Sequence, residues 1–338
     1  MVRNQSGIGH LVLFLLVLVV AVGGLIGLRV ISSDKKSESS SSAASSQTSA
    51  DKQSGKIDKI DSSKLAFDKP AATSDPFNDK KGPFYHDVYV ASSTDGVHFS
   101  NSQQQIISKA SVPDAIKLPS GQLVIYAVDG GQRSVSGLLV AVSEDNGKTW
   151  QAGSLQVKTS RTAYSVGADP QVLLTDDGKL RLYYLVFTGP PTSGQPPASV
   201  NKVYSATSTD GINFTEEQGV RFEYAQITDP DVIKIGATWF MYAAQGSTQI
   251  YATSSDGSSF TYKGVTRQKG SVSKTVALSD GKYRQFYCAD GISSSATADG
   301  VSWTDEGVNL AVAGKIICDP SPVQLAADNW LLVYKLAN

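Results

Sequence analysis

The chain has 338 residues, a formal net charge of -1, and 41% hydrophobic against 18% charged residues. That balance argues against an electrostatic nucleic-acid binder, which needs a concentrated basic surface, and against a chain disordered throughout. Three histidines (His10, His86, His98) and two cysteines (Cys288, Cys318) do not supply the usual ligands of a zinc site, so neither metal nor cofactor is expected.

The first element in chain order is the unbroken 18-residue apolar run Leu11 to Leu28. It is about the minimum length that spans a bilayer as a helix, and it exceeds the apolar region of a cleaved signal peptide. Residues 1–31 are therefore expected to be an uncleaved anchor. From Ser32 to Ser54 the chain is rich in Ser with Ala, Lys and Asp and has no apolar periodicity. Residues 55–82 add little pattern, so 32–82 reads as a flexible linker. A single anchor, a tether and a C-terminal domain over 83–338 imply a single-pass protein of the cell membrane with that domain outside the cell.

Two motifs alternate through the remainder. The first is a turn: Ser93 to Phe99, Ser143 to Trp150, Ser208 to Phe214, Ser254 to Phe260 and Thr297 to Trp303. Each copy joins Ser or Thr, Asp, Gly and a closing aromatic. Asp-Gly suits a tight turn because Gly tolerates positive φ and Asp bonds nearby amides. The second reads VPDAIKL from Val112, ADPQVLL from Ala168, TDPDVIKI from Thr228, VSKTVAL from Val272 and CDPSPVQL from Cys318. Its apolar character suits a strand buried on both faces. A Tyr-rich run follows it, then an alternating strand, then the turn, and a fourth strand opened by the aromatic. Each repeat is a four-stranded meander, with the aromatic expected to pack between neighbouring sheets. The chain begins with a third strand (Tyr85 to Ser93) and ends with a first and second (Cys318 to Lys335). Joined, the two ends complete one sheet. The expected fold is all-β, a five-bladed β-propeller closed by both termini in one blade, and monomeric.

This topology gathers the starts of the first strands at one end of the axis, the upper face. There lie Asp114, Asp169, Asp229 with Asp231, Ser273 with Lys274, and Asp319, beside the strand-two ends Asp129, Gln245 and Asp290. The Ser-x-Asp-Gly turns lie on the lower face, with structural Asp residues. Five blades with Asp-Pro opening the inner strand resemble the arabinanase, xylosidase, invertase and levansucrase superfamily of glycoside hydrolases. The turn Ser143 to Trp150 also resembles the Asp-box of sialidases. The resemblance covers residues 84–338 and implies carbohydrate as ligand. It also implies a first-blade carboxylate as base or nucleophile, a third-blade Asp that orients it, and a fourth-blade Glu as acid. Asp114 falls near the first role and Asp229 fits the second. The fourth blade offers Val272-Ser273-Lys274 instead of Glu, which leaves Glu223 as substitute acid. Asp231, Asp169, Asp319, Arg161, Tyr164 and Lys274 are the expected substrate-binding residues. The alternative for Lys274 is an ion pair that neutralises the acidic cluster, and the alternative for the whole chain is a non-catalytic propeller that binds glycan or protein. Cys288 and Cys318 fall on adjacent blades at the upper side, close enough for a disulfide, with two buried thiols as the alternative.

Overall fold

In the computed structural model, residues 55–161, 167–186 and 200–337 are described, and they carry 22 strands. Blade 1 is β3 (Ala110–Lys117), β4 (Leu123–Asp129), β5 (Leu138–Ser143) and β6 (Gln151–Ser154). Blade 2 is β8 (Gly167–Leu174), β9 (Leu180–Val186), β10 (Val200–Ser208) and β11 (Asn213–Glu216). Two short strands extend it: β7 (Gln156–Lys158) runs parallel to β11, and β12 (Phe222–Ala225) pairs with β10. Blade 3 is β13 (Thr228–Ile235), β14 (Thr238–Gln245), β15 (Thr248–Ser254) and β16 (Thr261–Arg267). Blade 4 is β17 (Ser271–Ala277), β18 (Tyr283–Ala289), β19 (Gly291–Thr297) and β20 (Thr304–Leu310). The last blade joins β21 (Ile316–Ala326) and β22 (Asn329–Ala337) to β1 (His86–Ser93) and β2 (Ser100–Ser108). The β1–β22 pairing, His86 opposite Ala337 through Ser93 opposite Trp330, closes the ring as the repeat order predicts.

The core lies between blades. Five buried clusters fill the five interfaces, for example Tyr126, Leu138, Tyr184 and Phe214 between blades 1 and 2. The two sequence motifs meet there. In each turn the Asp carboxylate accepts from following backbone amides, as Asp210 Oδ1 does from Ile212 and Asn213, and the Ser or Thr hydroxyl accepts from the Gly amide. The turn carbonyl then receives a tyrosine from the preceding blade. Tyr126 Oη donates to Gly211 O at 2.9 Å, Tyr183 to Gly257 O at 2.7 Å and Tyr242 to Gly300 O at 2.7 Å. The closing aromatic packs edge-on against the same residues, Phe214 on Tyr126 and Trp303 on Tyr242, each such pair contributing roughly 0.5–1.5 kcal/mol. A buried tyrosine needs both an apolar wall and a hydroxyl partner, which is why the second strand is rich in Tyr.

Residues 55–82 depart from the linker expectation. Ile57, Ile60 and Leu65 are buried in the interface between blades 1 and 2. The Ile57 amide donates to Gly178 O on the lower face, and Gln122 Nε2 donates to Ile60 O. The segment then climbs the outer edge of blade 1, where the Ser154 amide donates to Ala66 O, and reaches the upper face where the Ala72 amide donates to Gly131 O. Two glycines make room for it. A Cβ at Gly153 would meet Ala66 N at 2.5 Å, and one at Gly130 would meet Pro83 O at 2.1 Å. This strap covers a strand edge that would otherwise expose unpaired amides. Its apolar residues are too few and too irregularly spaced to stand out in the sequence. Among the described residues no helix is long and apolar enough to cross a membrane, and the run Leu11 to Leu28 lies outside them.

Candidate ligand site on the upper face

Each inner strand carries a β-bulge at its second motif, between Ser111 and Asp114, Ala168 and Gln171, Thr228 and Asp231, Ser271 and Ser273, and Cys318 and Ser321. The first bulge residue is left-handed in every blade: Val112 (φ 48), Asp169 (49), Asp229 (51), Val272 (54) and Asp319 (52). This backbone is uncommon outside glycine, better tolerated by Asp, and strained for a β-branched Val. Two rows of equivalent residues follow. The bulge row faces the upper mouth of the axis, and the next row holds Asp114, Gln171, Asp231, Lys274 and Ser321.

The second row stitches blades together. Ser321 Oγ accepts from the Ala115 amide at 2.8 Å, Asp114 from the Val172 amide at 2.7 Å and Asp231 from the Thr275 amide at 3.1 Å. Gln171 Nε2 donates to Val232 O at 3.3 Å. The fifth position breaks the rule because the residue after Ser321 is Pro322, which has no amide proton. Lys274 stands there and crosses the axis to Asp114 Oδ1 at 2.6 Å. The Ser321 hydroxyl donates to the same carboxylate oxygen at 3.1 Å. Asp114 is 3% exposed with both oxygens engaged, so its expected role as base or nucleophile is not available to it. The bulge explains the difference: Asp114 is equivalent to Asp231, and Val112 stands where Asp229 does. Asp231 is fully buried and also accepts from the Thr275 hydroxyl and Gln285 Nε2, which makes it scaffold too. Burial raises its pKa, against Lys274 and Thr275, which lower it.

The bulge row brings three predicted carboxylates together. Asp169, Asp229 and Asp319 line one small axial cavity of about 30 Å³, enough for about two water molecules. Asp169 Oδ2 accepts from the Asp229 amide at 3.1 Å. Asp319 pairs with Lys335 Nζ at 2.7 Å. Burial pushes the Asp169 carboxyl up to about 6; the Asp229 amide opposes that shift and the Asp319 charge adds to it. Burial likewise holds Asp229 well above the usual carboxylate range, reinforced by the charges of Asp169 and Asp319. Burial works against the Lys335 charge, but Asp319, Asp229 and Asp169 together raise its pKa. His86, from β1, is buried with Nδ1 2.9 Å from Ser111 Oγ, and burial followed by Lys335 depresses its pKa. Lys335 is the member that sequence reading missed. Its signal was its place at the upper end of a second strand, paired in register opposite Cys318.

The other expected residues lie elsewhere. Glu223 is an exposed member of β12, paired with Lys202 at 3.2 Å on the outer part of blade 2, and it does not line the axial cavity. Its connection forms a strand against β10 rather than rising to the axis. Arg161 is committed to Glu216, with Nε 3.0 Å from Oε1, and stacks on Tyr204 at 4.0 Å, also away from the cavity. Tyr164 lies outside the described residues. Asp129 binds the Arg133 side chain and the Ser134 amide and holds a loop.

Cys288 and Cys318 form a disulfide with Cα atoms 5.2 Å apart, and the Asp319 amide donates to Cys288 Sγ at 3.1 Å. The trio Cys288, Cys318 and Asp319 has the spacing of a metal site, but sulfurs joined in a disulfide are not thiolate ligands.

No family model and no curated protein matches the chain. Solved structures match at the level of fold. An exo-1,5-α-L-arabinanase from a bovine ruminal metagenomic library is 11% identical with a TM-score of 0.50, covering 68% of this chain and 91% of its own. A protein from Dyadobacter fermentans is 14% identical with a TM-score of 0.50, covering 73% and 83%. The α-L-arabinanase of Penicillium chrysogenum is 10% identical with a TM-score of 0.47, covering 74% and 98%. The chain is a five-bladed β-propeller whose structural neighbours include arabinanases and other glycoside hydrolases, a likeness of fold at low identity.

Proposed function

We propose that the chain is a carbohydrate-recognising propeller that takes its ligand at the upper face, over the Asp169, Asp229 and Asp319 ring. One observation carries this reading. Val112 and Val272 adopt the same left-handed bulge without a carboxylate, so the backbone does not require Asp at these positions. Three acids gathered at one mouth, Asp319 buried and Asp169 and Asp229 half-buried, work against folding, and such groups are a frequent mark of function. Asp229, raised well above the usual carboxylate range, and Asp169, raised to about 6, differ in their hold on a proton, so the pair can offer sugar hydroxyls both a donor and an acceptor. The same difference favours a second reading, glycoside cleavage with Asp229 as acid and Asp169 as base. The binding reading is preferred because the cavity between these carboxyls has room for about two waters and no sugar ring. The apolar run Leu11 to Leu28 and the Ser-rich segment after it support a single-pass anchor with the propeller outside the cell. The Cys288–Cys318 disulfide supports the same side, since disulfides persist in oxidising compartments.

Asp229→Asn keeps the shape and removes the titration. Wild type and variant are compared on a glycan array, by calorimetry with the best glycan, and against a panel of aryl glycosides. Glycan binding that falls at least tenfold in a folded variant supports the site. Release of aglycone by the wild type, lost in the variant, selects the catalytic reading. A wild type that binds no glycan, or a variant that binds unchanged, overturns it.

A further inference from the structure

The axial channel has a second room. Below the Asp114–Lys274 pair the inner strands open into a funnel of about 540 Å³ at the lower face, within the range of small-molecule sites. Its wall is a third row in the same fivefold register: Ile116, Leu173, Ile233, Val276 and Val323. All five are apolar, and four are only half-buried. Each half-buried member packs on one side against a blade-interface cluster and lines the funnel on the other, so the ring is a continuous apolar surface of the kind that marks ligand grooves. Gln171, 3% exposed, sits at the inner end of this room, and its Oε1 has no hydrogen-bond partner among the described residues. A buried acceptor left unpaired is costly unless something donates to it. At the rim stand Lys117 and Lys234. Lys117 Nζ donates to the Leu325 carbonyl, and Lys234 meets an almost fully exposed Asp176 at 3.7 Å.

We infer that the lower funnel is a binding site for a small amphiphilic anion, its apolar body against the third row and its acid group at Lys117 and Lys234. The axial pair Asp114–Lys274 separates this room from the acid ring, so the two ligands have different chemistry: hydroxyl-rich above, apolar with one negative charge below. A ligand bearing a hydroxyl or amide donor at its apolar end would also satisfy Gln171. This inference is independent of the carbohydrate reading, since none of the three ring carboxylates lines the funnel.

Decanoate is the probe, titrated calorimetrically into the full chain below its aggregation concentration, with decyltrimethylammonium as the opposite-charge control. One decanoate per chain is expected, with the ammonium weaker. Lys117→Met with Lys234→Met changes two exposed side chains and leaves the fold intact; it is expected to weaken decanoate about threefold or more at low salt and to remove the preference for it. Val276→Trp fills the funnel and is expected to abolish binding, with a thermal melt to confirm that it folds. No saturable decanoate binding, several molecules per chain, or binding indifferent to Val276→Trp in a folded variant overturns the site. A lysine pair variant that keeps the full preference for decanoate overturns the assignment of the anion.

Discussion

Replacing Lys274 with Met tests whether Asp114 belongs to the scaffold. The ammonium lies 2.6 Å from Asp114 Oδ1, with side chains 11% and 5% exposed. Removing one partner of a buried ion pair costs roughly 3–5 kcal/mol because a buried charge is left behind. Asp114 keeps the Val172 amide and the Ser321 hydroxyl, so the lower end, about 3 kcal/mol, is expected. For a chain of this size that corresponds to a fall in melting temperature of roughly 6–12 °C. Asp114→Asn leaves a buried ammonium without its carboxylate and should cost a similar amount. The double variant leaves neither member of the Asp114–Lys274 pair as an uncompensated charge, and its cost should fall short of the sum by about 1.5–3 kcal/mol. Urea denaturation of the four proteins, read by fluorescence and circular dichroism, completes the cycle. A single-variant cost below about 1 kcal/mol, or additive costs, would refute the reasoning and return Asp114 to the list of functional acids.

Three further outcomes follow from the same geometry. Asp169 is raised in the folded chain, so its contribution is present in full below the unfolded pKa of about 3.8 and is lost as pH rises through about 6. Asp169 should therefore contribute a fall in stability of up to about 1.4 kcal/mol per pH unit between pH 4 and 6, on top of the fall from Asp229 and Asp231, and Asp169→Asn should make the urea-derived stability profile shallower by that share; an unchanged profile refutes the assignment. Ile60 of the strap is fully buried, so Ile60→Ala should cost about 2–5 kcal/mol in a chemical melt, whereas a free linker would show almost nothing. Cys288→Ser with Cys318→Ser opens a closure of 30 residues and should cost about 3–4 kcal/mol; equal stability with and without a reductant would contradict this.

The fold was legible because its unit repeats. A Ser-x-Asp-Gly turn and an inner-strand motif recur with the same partners in space, and the incomplete ends announce the closing blade. The site was legible by place but not by register. Asp-Pro marked Asp169, Asp229 and Asp319, whereas Asp114 follows its proline and lands one row lower, among the stitches. Pro-Asp and Asp-Pro look alike in composition, and only the bulge separates them. Glu223 stands out because glutamates are few and its connection leads up to blade 3, but that connection pairs as β12 against β10 and keeps Glu223 off the axis. Its neighbour Tyr224 stacks on Tyr262 at 4.8 Å, part of an aromatic seam that draws this stretch to the outside of the ring. The strap escaped notice because three buried residues in some thirty carry no period, and Lys335 because a single lysine at a strand end resembles any other.

The path of the strap has a mechanical consequence. The chain enters at the lower face, where Ile57 meets Gly178, and climbs the outside of blade 1 before β1 begins at His86. A pull applied upstream of residue 55 therefore loads the strap first, and the β1–β22 seam that closes the ring carries none of it. Peeling the strap from Ile57 to Tyr85 releases roughly 100 Å of chain at about 3.3–3.6 Å per residue. That release also withdraws Ile57, Ile60 and Leu65 from the core between blades 1 and 2, so the strap ties the path of tension to the packing of the ring.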